Sequence, residues 1–566
     1  MTKILIINLK KLGDVFQTGH IVNSLREQRP NIEIHLLCYK ESYKAAKILR
    51  GISKVHTLDR HKLVTYYNNN IYSDGLSLNL FEKYLTNISN ENFNMILNYS
   101  NDRTSTFLAS FIKKENTEMR GISFSSKQTV NYSGPFAIVL NDIITQHPLT
   151  PYNFNDCYHQ LFNSFFKGIN KEGISVKTNK THDISARNNI DKLRALKNND
   201  SRTTSIIGIQ LAASCESKEI PSSVLENVIE KIIEHPNTFP ILLIAPNAKE
   251  KEKASIINKA FNDSLVSVEA DFIALPSVLK NIDLLLTPDT SVKHLADLTG
   301  TISLEISLGH APFLKQGSIQ TGSGIISEPP YLRSFRENSQ LKDTVIEKNK
   351  TLEPDFIFDS ACLLLGLKET LPISKRYCLY NTTKVVDGTW YMPIAGKFEA
   401  KHELKRVAAR AFIQKITQGV IDENLVEISL KSFNRNDIFT SIEEEKKGIS
   451  HVTKDLLSTL RSLIQCQENK SKAQAFIENL EKLLSRCFET NLAAIPTLIF
   501  RAKVESLTSS TMDENFKEVE ATLYELKDNL QSSLFVLKRI EEIGADVDAA
   551  KRRNKINKVK DSEARL

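Results

Sequence analysis

Three short runs in this 566-residue chain gather side chains suited to holding an anionic ligand beside a carboxylate. Lys10-Lys-Leu-Gly-Asp-Val15 directly follows an apolar, strand-like run and opens an amphipathic one. Gly13 lets the backbone approach a ligand closely. Asp14 stands at a helix start, where its side chain faces the C-terminal end of the preceding strand. The alternative for Asp14 is an N-cap that accepts a hydrogen bond from Phe16 or Gln17. The second run is Ala213-Ser-Cys-Glu-Ser-Lys218-Glu-Ile-Pro221, a small-residue loop ahead of a helix. Its backbone N–H groups, the Ser214 hydroxyl and the Lys218 ammonium can hold a diphosphate, or Lys218 is simply solvated on a surface loop. The third is Thr287-Pro-Asp-Thr-Ser-Val-Lys-His294. Thr290 and Ser291 offer hydroxyls and helix N-terminal amides to a phosphate, Asp289 can accept sugar hydroxyls, and His294 lies one turn further on. The plain alternative makes Thr290 or Ser291 a cap and His294 a satisfied histidine near the core.

All three runs need a strand on one side and a helix on the other, and the pattern supplies both. From residue 1 to about 150, Lys3–Ile7, Ile32–Leu37 and Asn94–Asn98 read as strands, with helical spacing over Val15–Gln28 and Ser42–Leu49. After a polar stretch from Lys177 to Thr204 that reads as a linker around a short helix, a second alternating block begins. Its expected strands are Ser205–Leu211, Pro240–Ala245, Asp283–Thr287 and Ile302–Ile306, and its expected helices are Ser222–Glu234, Lys249–Phe261, Asp271–Asn281 and Ser291–Leu298. Alternating strand and helix predicts parallel sheets, so residues 1 to about 365 form two doubly wound halves with a ligand cleft between them.

Composition bounds the function. No apolar run approaches the ~18 residues that span a bilayer, and the N-terminus lacks a signal-peptide pattern, so a cytoplasmic protein is expected. Seven cysteines without a Cys-x-x-Cys pair suggest neither a disulfide framework nor a zinc site. A net charge of +7, from 74 basic against 67 acidic residues, is too small for a dedicated nucleic-acid binder and suits an anionic ligand or a membrane surface.

Beyond Asp387-Gly388-Thr389-Trp390 the pattern turns helical, with segments at Phe398–Ile416, Ile449–Ile464 and Ala473–Cys487. Val519, Leu523, Leu526, Leu530, Leu537 and Ile540 recur at spacings of four and three, interrupted by Ser533, as in a bundle or short coiled-coil seam. The seam predicts homo-oligomerisation or, with seven basic residues after 550, docking on an anionic inner-membrane surface. These last residues are expected to fray. The lone Asp-x-Asp, Asp546-Val-Asp548, reads as a surface feature of a helix rather than a metal site.

Taken in order, Leu-Gly-Asp14 after a strand, the loop carrying Lys218 and Pro221, and Asp289-Thr290 followed by His294-Leu-Ala296 resemble glycosyltransferase family nine, the ADP-heptose:lipopolysaccharide heptosyltransferases. The resemblance covers about residues 1 to 330, and Arg120-Gly-Ile-Ser-Phe124 is also similar to a strand entry there. It implies an α/β, GT-B fold. Its parts are an acceptor domain over 1–180 and a nucleotide-sugar donor domain over 200–365; the expected helical domain over 390–550 and basic tail over 551–566 lie outside the resemblance. It also implies inverting transfer from a nucleotide-activated heptose to a glycan or glycolipid acceptor, with no cofactor, no essential metal and no nucleic acid.

By the same resemblance Asp14 matches the general base and Lys218 the lysine that neutralises the phosphates. Asp289 and Thr290 match sugar and diphosphate contacts, His294 matches the histidine of that loop, and Lys11 and Gly13 belong to the acceptor-side loop. The chain departs from the pattern at Ser291 in place of glycine, Ile220 in place of tryptophan, His20 in place of proline, and Gln210-Leu-Ala-Ala213 in place of a Gly-Pro-like loop. Glu250 and Glu252 are the candidates for holding a ribose. The departures leave two other readings, an inactive GT-B scaffold assembled through its helical tail and a GT-B transferase that uses a UDP-sugar.

Overall fold

Buried apolar strands with short connections to amphipathic helices build two parallel sheets in the computed structural model. It describes residues 2–68, 74–125, 129–144, 149–162, 175–197, 204–308, 312–330, 351–508 and 511–563. The first sheet comprises β1 (Lys3–Ile7), β2 (Glu33–Tyr39), β3 (Lys54–Leu58), β4 (Met95–Asn98) and β5 (Glu118–Arg120), all parallel in the order β3-β2-β1-β4-β5. Ile4 pairs with Ile34 on one side and Met95 on the other. A strand buried on both faces has to be apolar throughout, which is why Lys-Ile-Leu-Ile-Ile carries no alternation. Two short strands, β6 (Ile122–Phe124) and β7 (Val130–Tyr132), follow.

The second sheet runs β10-β9-β8-β11-β12-β13-β14-β15. Its parallel part is β8 (Ser205–Gln210), β9 (Thr238–Ile244), β10 (Val266–Glu269), β11 (Leu284–Pro288), β12 (Ser303–Ile306) and β13 (Gly324–Ser327). An antiparallel hairpin, β14 (Cys378–Val385) and β15 (Gly388–Gly396), extends it. This hairpin was not expected, since the donor half was drawn to end at 365 and Asp387-Gly388 was read as a change of character. Val386 and Asp387 make the turn, and Gly388, with φ of +140°, opens β15 where a Cβ would run into the Asp156 carboxyl. Asp156 accepts from Thr389 N at 2.8 Å, so a buried carboxylate on the helix Phe154–Gln160 anchors the turn.

Two expected helices differ. The Asp271–Asn281 segment is helical only over Leu275–Leu279, because Asp271 Oδ1 accepts from the amides of Ile273 and Ala274 and holds a turn there. The polar stretch expected as a linker around a short helix is mostly helix, 18 residues over Lys180–Lys197, with Arg194 bonded to Asp283 at 2.7 Å; residues 198–203 lie outside the described ones.

The chain divides into two compact units. One holds Met1–Ser123 and Asn153–Lys397, both sheets included, and the other holds Phe124–Tyr152 and Phe398–Leu566. Phe124–Tyr152, drawn in sequence as part of the first domain, thus belongs with the helical region. Within that second unit Arg410 is fully buried, donates to Pro151 O at 3.2 Å and lies 4.2 Å from the Tyr152 ring centroid. The helix Met512–Glu563 packs along the helices Arg435–Glu468, Ala400–Gln418 and Ala494–Glu505. All six seam residues are buried there, as is Ser533, which donates to Asn529 O at 3.0 Å. The seam is therefore the core of this unit, and the oligomerisation expected from it has no apolar face left at those positions. The backbone stays helical to Glu563 instead of fraying; the side chains from Arg552 onward, and with them most of the basic tail, lie outside the described residues. Among the described residues no helix is long and apolar enough to cross a membrane.

Candidate active site

Each parallel sheet reverses its strand order once, between β1 and β4 in the first and between β8 and β11 in the second. Loops leaving the strand ends at such points diverge and open a crevice. The loops after β1, β8 and β11 are the three runs singled out in sequence, and all line one cavity of about 1050 Å³. Lys11, Gly13, Asp14, Ser214, Lys218, Asp289, Thr290, Ser291 and His294 are all on its wall.

The helix Leu12–Gln28 begins with Lys11 as its N-cap, so Asp14 sits in the first turn and is not the cap. Asn8, at the end of β1, donates to the backbone oxygen of Asp14 and to Thr18 Oγ1, each at 2.8 Å, and pins that turn. Burial pushes the Asp14 carboxyl above its ordinary value, Lys10 pulls it down, and the charge of Asp289 pushes it up again.

Opposite, Lys218 Nζ lies 2.7 Å from Asp289 Oδ2, and Lys293 Nζ lies 2.8 Å from Asp289 Oδ1. Lys293 is fully buried and reaches Glu305 Oε1 at 3.2 Å and Gln316 O at 2.8 Å. Burial alone would raise the Asp289 carboxyl, but Lys293 and Lys218 hold it far below the carboxylate range. Burial likewise works against the charge of Lys293, and Asp289 and Glu305 overcome it. Asp289, expected as a sugar contact, already has both oxygens on ammonium groups, and its evident work is to fix Lys218 on the cavity wall. Thr290 is the N-cap of the helix Ser291–Thr299, yet its side chain makes no capping bond. The free amides of that first turn are left to a ligand in the cavity.

His294 lines the cavity but is held as the plainer expectation of a satisfied histidine has it: it is 4% exposed and meets Gln17 Nε2 through Nδ1 at 3.1 Å, and burial and Lys293 push its pKa well down. A Cβ on Gly13 would lie 2.8 Å from His294 Cδ2, and one on Gly19 would lie 2.9 Å from Leu298 Cδ2. The two helices that open on the cavity therefore touch along a glycine edge. Gly13→Ala should force them apart at a cost of about 1–3 kcal/mol, and because Asp14 and Thr290 then separate, kcat should fall together with the melting temperature. Unchanged turnover in a stably folded Gly13→Ala protein would contradict this.

Of the ribose candidates, Glu250 lines the cavity and accepts from Ala245 N at 2.8 Å, whereas Glu252 is exposed and does not reach it. Ile220 packs in the apolar core beneath β8. Lys315, unforeseen, also faces the cavity; burial and then Lys10 lower its pKa to about 8. The missed Asn8, Gln17 and Lys315 carry no local motif, whereas Lys293 lay inside one and had only its remote partners hidden.

Two doubly wound halves around a cleft built at both strand-order reversals define a GT-B fold, and a family match over its middle makes the chain a glycosyltransferase. The family described as Glycosyltransferase family 9 (heptosyltransferase) matches residues 83–303, so the chain carries a domain of that family; the match includes Lys218 and the Asp289–His294 loop and begins after Asp14. Among solved structures, a glycosyl transferase family 9 protein from Veillonella parvula is 14% identical, with 65% of this chain and 98% of that one covered and a TM-score of 0.47. The ADP-heptose lps heptosyltransferase II of E. coli is 11% identical, with coverage of 65% and 100% and a TM-score of 0.43. E. coli heptosyltransferase WaaC with ADP-2-deoxy-2-fluoro heptose is 11% identical, with coverage of 56% and 96% and a TM-score of 0.39. No curated protein matches the chain.

Proposed function

We propose that this glycosyltransferase moves a heptose or a related sugar, with inversion, from an ADP-activated donor to a lipopolysaccharide or other cell-surface glycan acceptor at the cytoplasmic face of the membrane. The observation that carries the reading is that one cavity is lined by Asp14, Lys218 and the N-terminus of the Ser291–Thr299 helix. In the transfer, the acceptor hydroxyl oxygen bonds to the anomeric carbon on the face opposite the leaving group. Its proton passes to the Asp14 carboxylate as the bond to the diphosphate oxygen breaks. The negative charge that collects on the nucleoside diphosphate meets Lys218 and the helix amides, so the positive charge needed there comes from the protein without a metal ion.

Thermal shift with ADP-, UDP-, GDP- and CMP-sugars tests the donor, since a ligand that binds only the folded state raises its stability by mass action. ADP-heptose should give the largest shift, and Lys218→Met should shrink that shift and lower kcat by about 10²–10³-fold, as for removal of one charge-stabilising donor. A larger shift with a UDP-sugar would replace the donor, and no shift with any nucleotide sugar would favour an inactive scaffold.

A further inference from the structure

We propose a transition-metal site at the edge of the first sheet remote from the cleft, built from His35, His56 and Glu91. Their ligand atoms all lie within 4.8 Å of one another. His35 is in β2 and His56 in β3, and Glu91 is in the turn before β4. In the parallel register Leu37 stands beside His56, and since His35 and Leu37 share a face of the pleat, both imidazoles emerge on the same side.

The geometry is that of a ligand pair with its support already in place. His35 Nδ1 lies 3.0 Å from His56 Nε2, a separation that two nitrogens on one ion of about 2.0–2.1 Å bond length can adopt once the proton His56 shares in this contact moves from Nε2 to Nδ1. His35 Nε2 donates to Glu33 Oε1 at 2.7 Å. That bond leaves Nδ1 as the bare lone pair, which is the carboxylate–histidine arrangement that orients metal-bound imidazoles and raises their basicity. Phe93 braces both rings edge-on, with centroids at 5.3 Å from His35 and 6.5 Å from His56. His35 is buried, whereas His56 and Glu91 are half-buried, so the cluster opens to solvent on one side for entry and for a water as fourth ligand.

Two lysines bear on the site. Glu91 is paired with Lys54 and, at 3.1 Å, with Lys3, which also lies 3.7 Å from Glu33. Binding an ion requires Glu91 to exchange one ammonium for the metal, and Lys54, whose side chain is 53% exposed, has water to swing into. The nearby positive charge opposes every divalent ion alike, and the two imidazoles discriminate among them, since hard, oxygen-seeking ions such as Mg²⁺ and Ca²⁺ gain little from nitrogen ligands. The site should therefore prefer Zn²⁺, Co²⁺ or Ni²⁺. A bound ion would tie β2, β3 and the start of β4 together. It would take no part in sugar transfer, because the cleft lies at the opposite, C-terminal ends of these strands.

The full chain titrated with Co²⁺ should take up one equivalent with a visible absorption band that Zn²⁺ bleaches, and Zn²⁺ should raise its melting temperature. His56→Gln should lose the band and the shift, and Glu33→Gln should weaken Co²⁺ binding about 10–100-fold. Far-UV circular dichroism without metal establishes that the variants are folded. Should His56→Gln fail to fold, Glu91→Gln, which keeps the histidine pair, replaces it and should lose most of the affinity. No Co²⁺ band in the native chain, or the same band in a folded His56→Gln or Glu91→Gln protein, would leave Glu33, His35 and His56 as a hydrogen-bonded chain and overturn the site.

Discussion

Asp14→Asn should lower kcat by about 10²–10⁴-fold, the usual share of a positioned base, while the thermal shift given by the nucleotide-sugar donor stays close to that of the native chain. The variant keeps the shape of the carboxylate and removes its ability to take a proton. The pH profile offers a second readout. Burial raises the Asp14 pKa, Lys10 opposes the rise and Asp289 adds to it, so the net shift is upward. Because the ionised form does the work, activity is lost as pH falls through that raised value. The acid limb should therefore lie above the ordinary carboxylate value of about 4, and Lys10→Met should move it further up. The stability sign runs the other way. A carboxyl whose folded pKa exceeds its unfolded one binds its proton more tightly in the fold, so its ionised form is disfavoured there once pH rises through the folded value. Asp14→Asn should accordingly melt no lower than the native chain at neutral pH, which separates a chemical loss from a structural one. Full turnover by this variant would end the assignment of Asp14 as base.

Lys293→Met should be the most destabilising single change in the donor half, by about 3–5 kcal/mol, the cost of breaking a buried ion pair from one side. Its ammonium is the shared partner of Asp289 at 2.8 Å and Glu305 at 3.2 Å, with Gln316 O at 2.8 Å completing its bonds. Without it Glu305, which is fully buried, loses its cation, and Asp289 keeps only Lys218. Adding Glu305→Gln should recover a large part of the loss, since it removes the orphaned charge. Urea unfolding of the single and double variants measures both effects, and a shift below about 1 kcal/mol for Lys293→Met would show that the network bears little on stability.

The strands of both halves were readable because a parallel strand covered on two faces must be a continuous apolar run. The three loops were readable because each follows such a run and precedes a helix. What remained hidden depends on partners distant in the chain. Nothing around Gly13 says that its neighbour is His294, and nothing around Lys293 points to Glu305 and Gln316. The hairpin β14 and β15 did leave a signal, the Asp387-Gly388 break between two runs rich in Thr, Tyr and Val, although the turn itself falls one residue earlier, at Val386-Asp387. The His35 and His56 cluster leaves no such signal, because two histidines on neighbouring strands bear no fixed spacing in sequence.

The helical unit is discontinuous, drawing Phe124–Tyr152 from ahead of the donor half and the rest from behind it. During synthesis this early segment leaves the ribosome some 250 residues before the helices that complete its unit. Its Phe136, Ile138, Val139, Leu140, Ile143 and Ile144, all buried in the finished protein, must wait uncovered while the sheet-bearing unit is made. A chain cut after residue 385 would expose them permanently and would also remove β15. The C-terminal region is therefore no detachable appendage, and its removal would report on an unfinished fold rather than on the chemistry of the cleft.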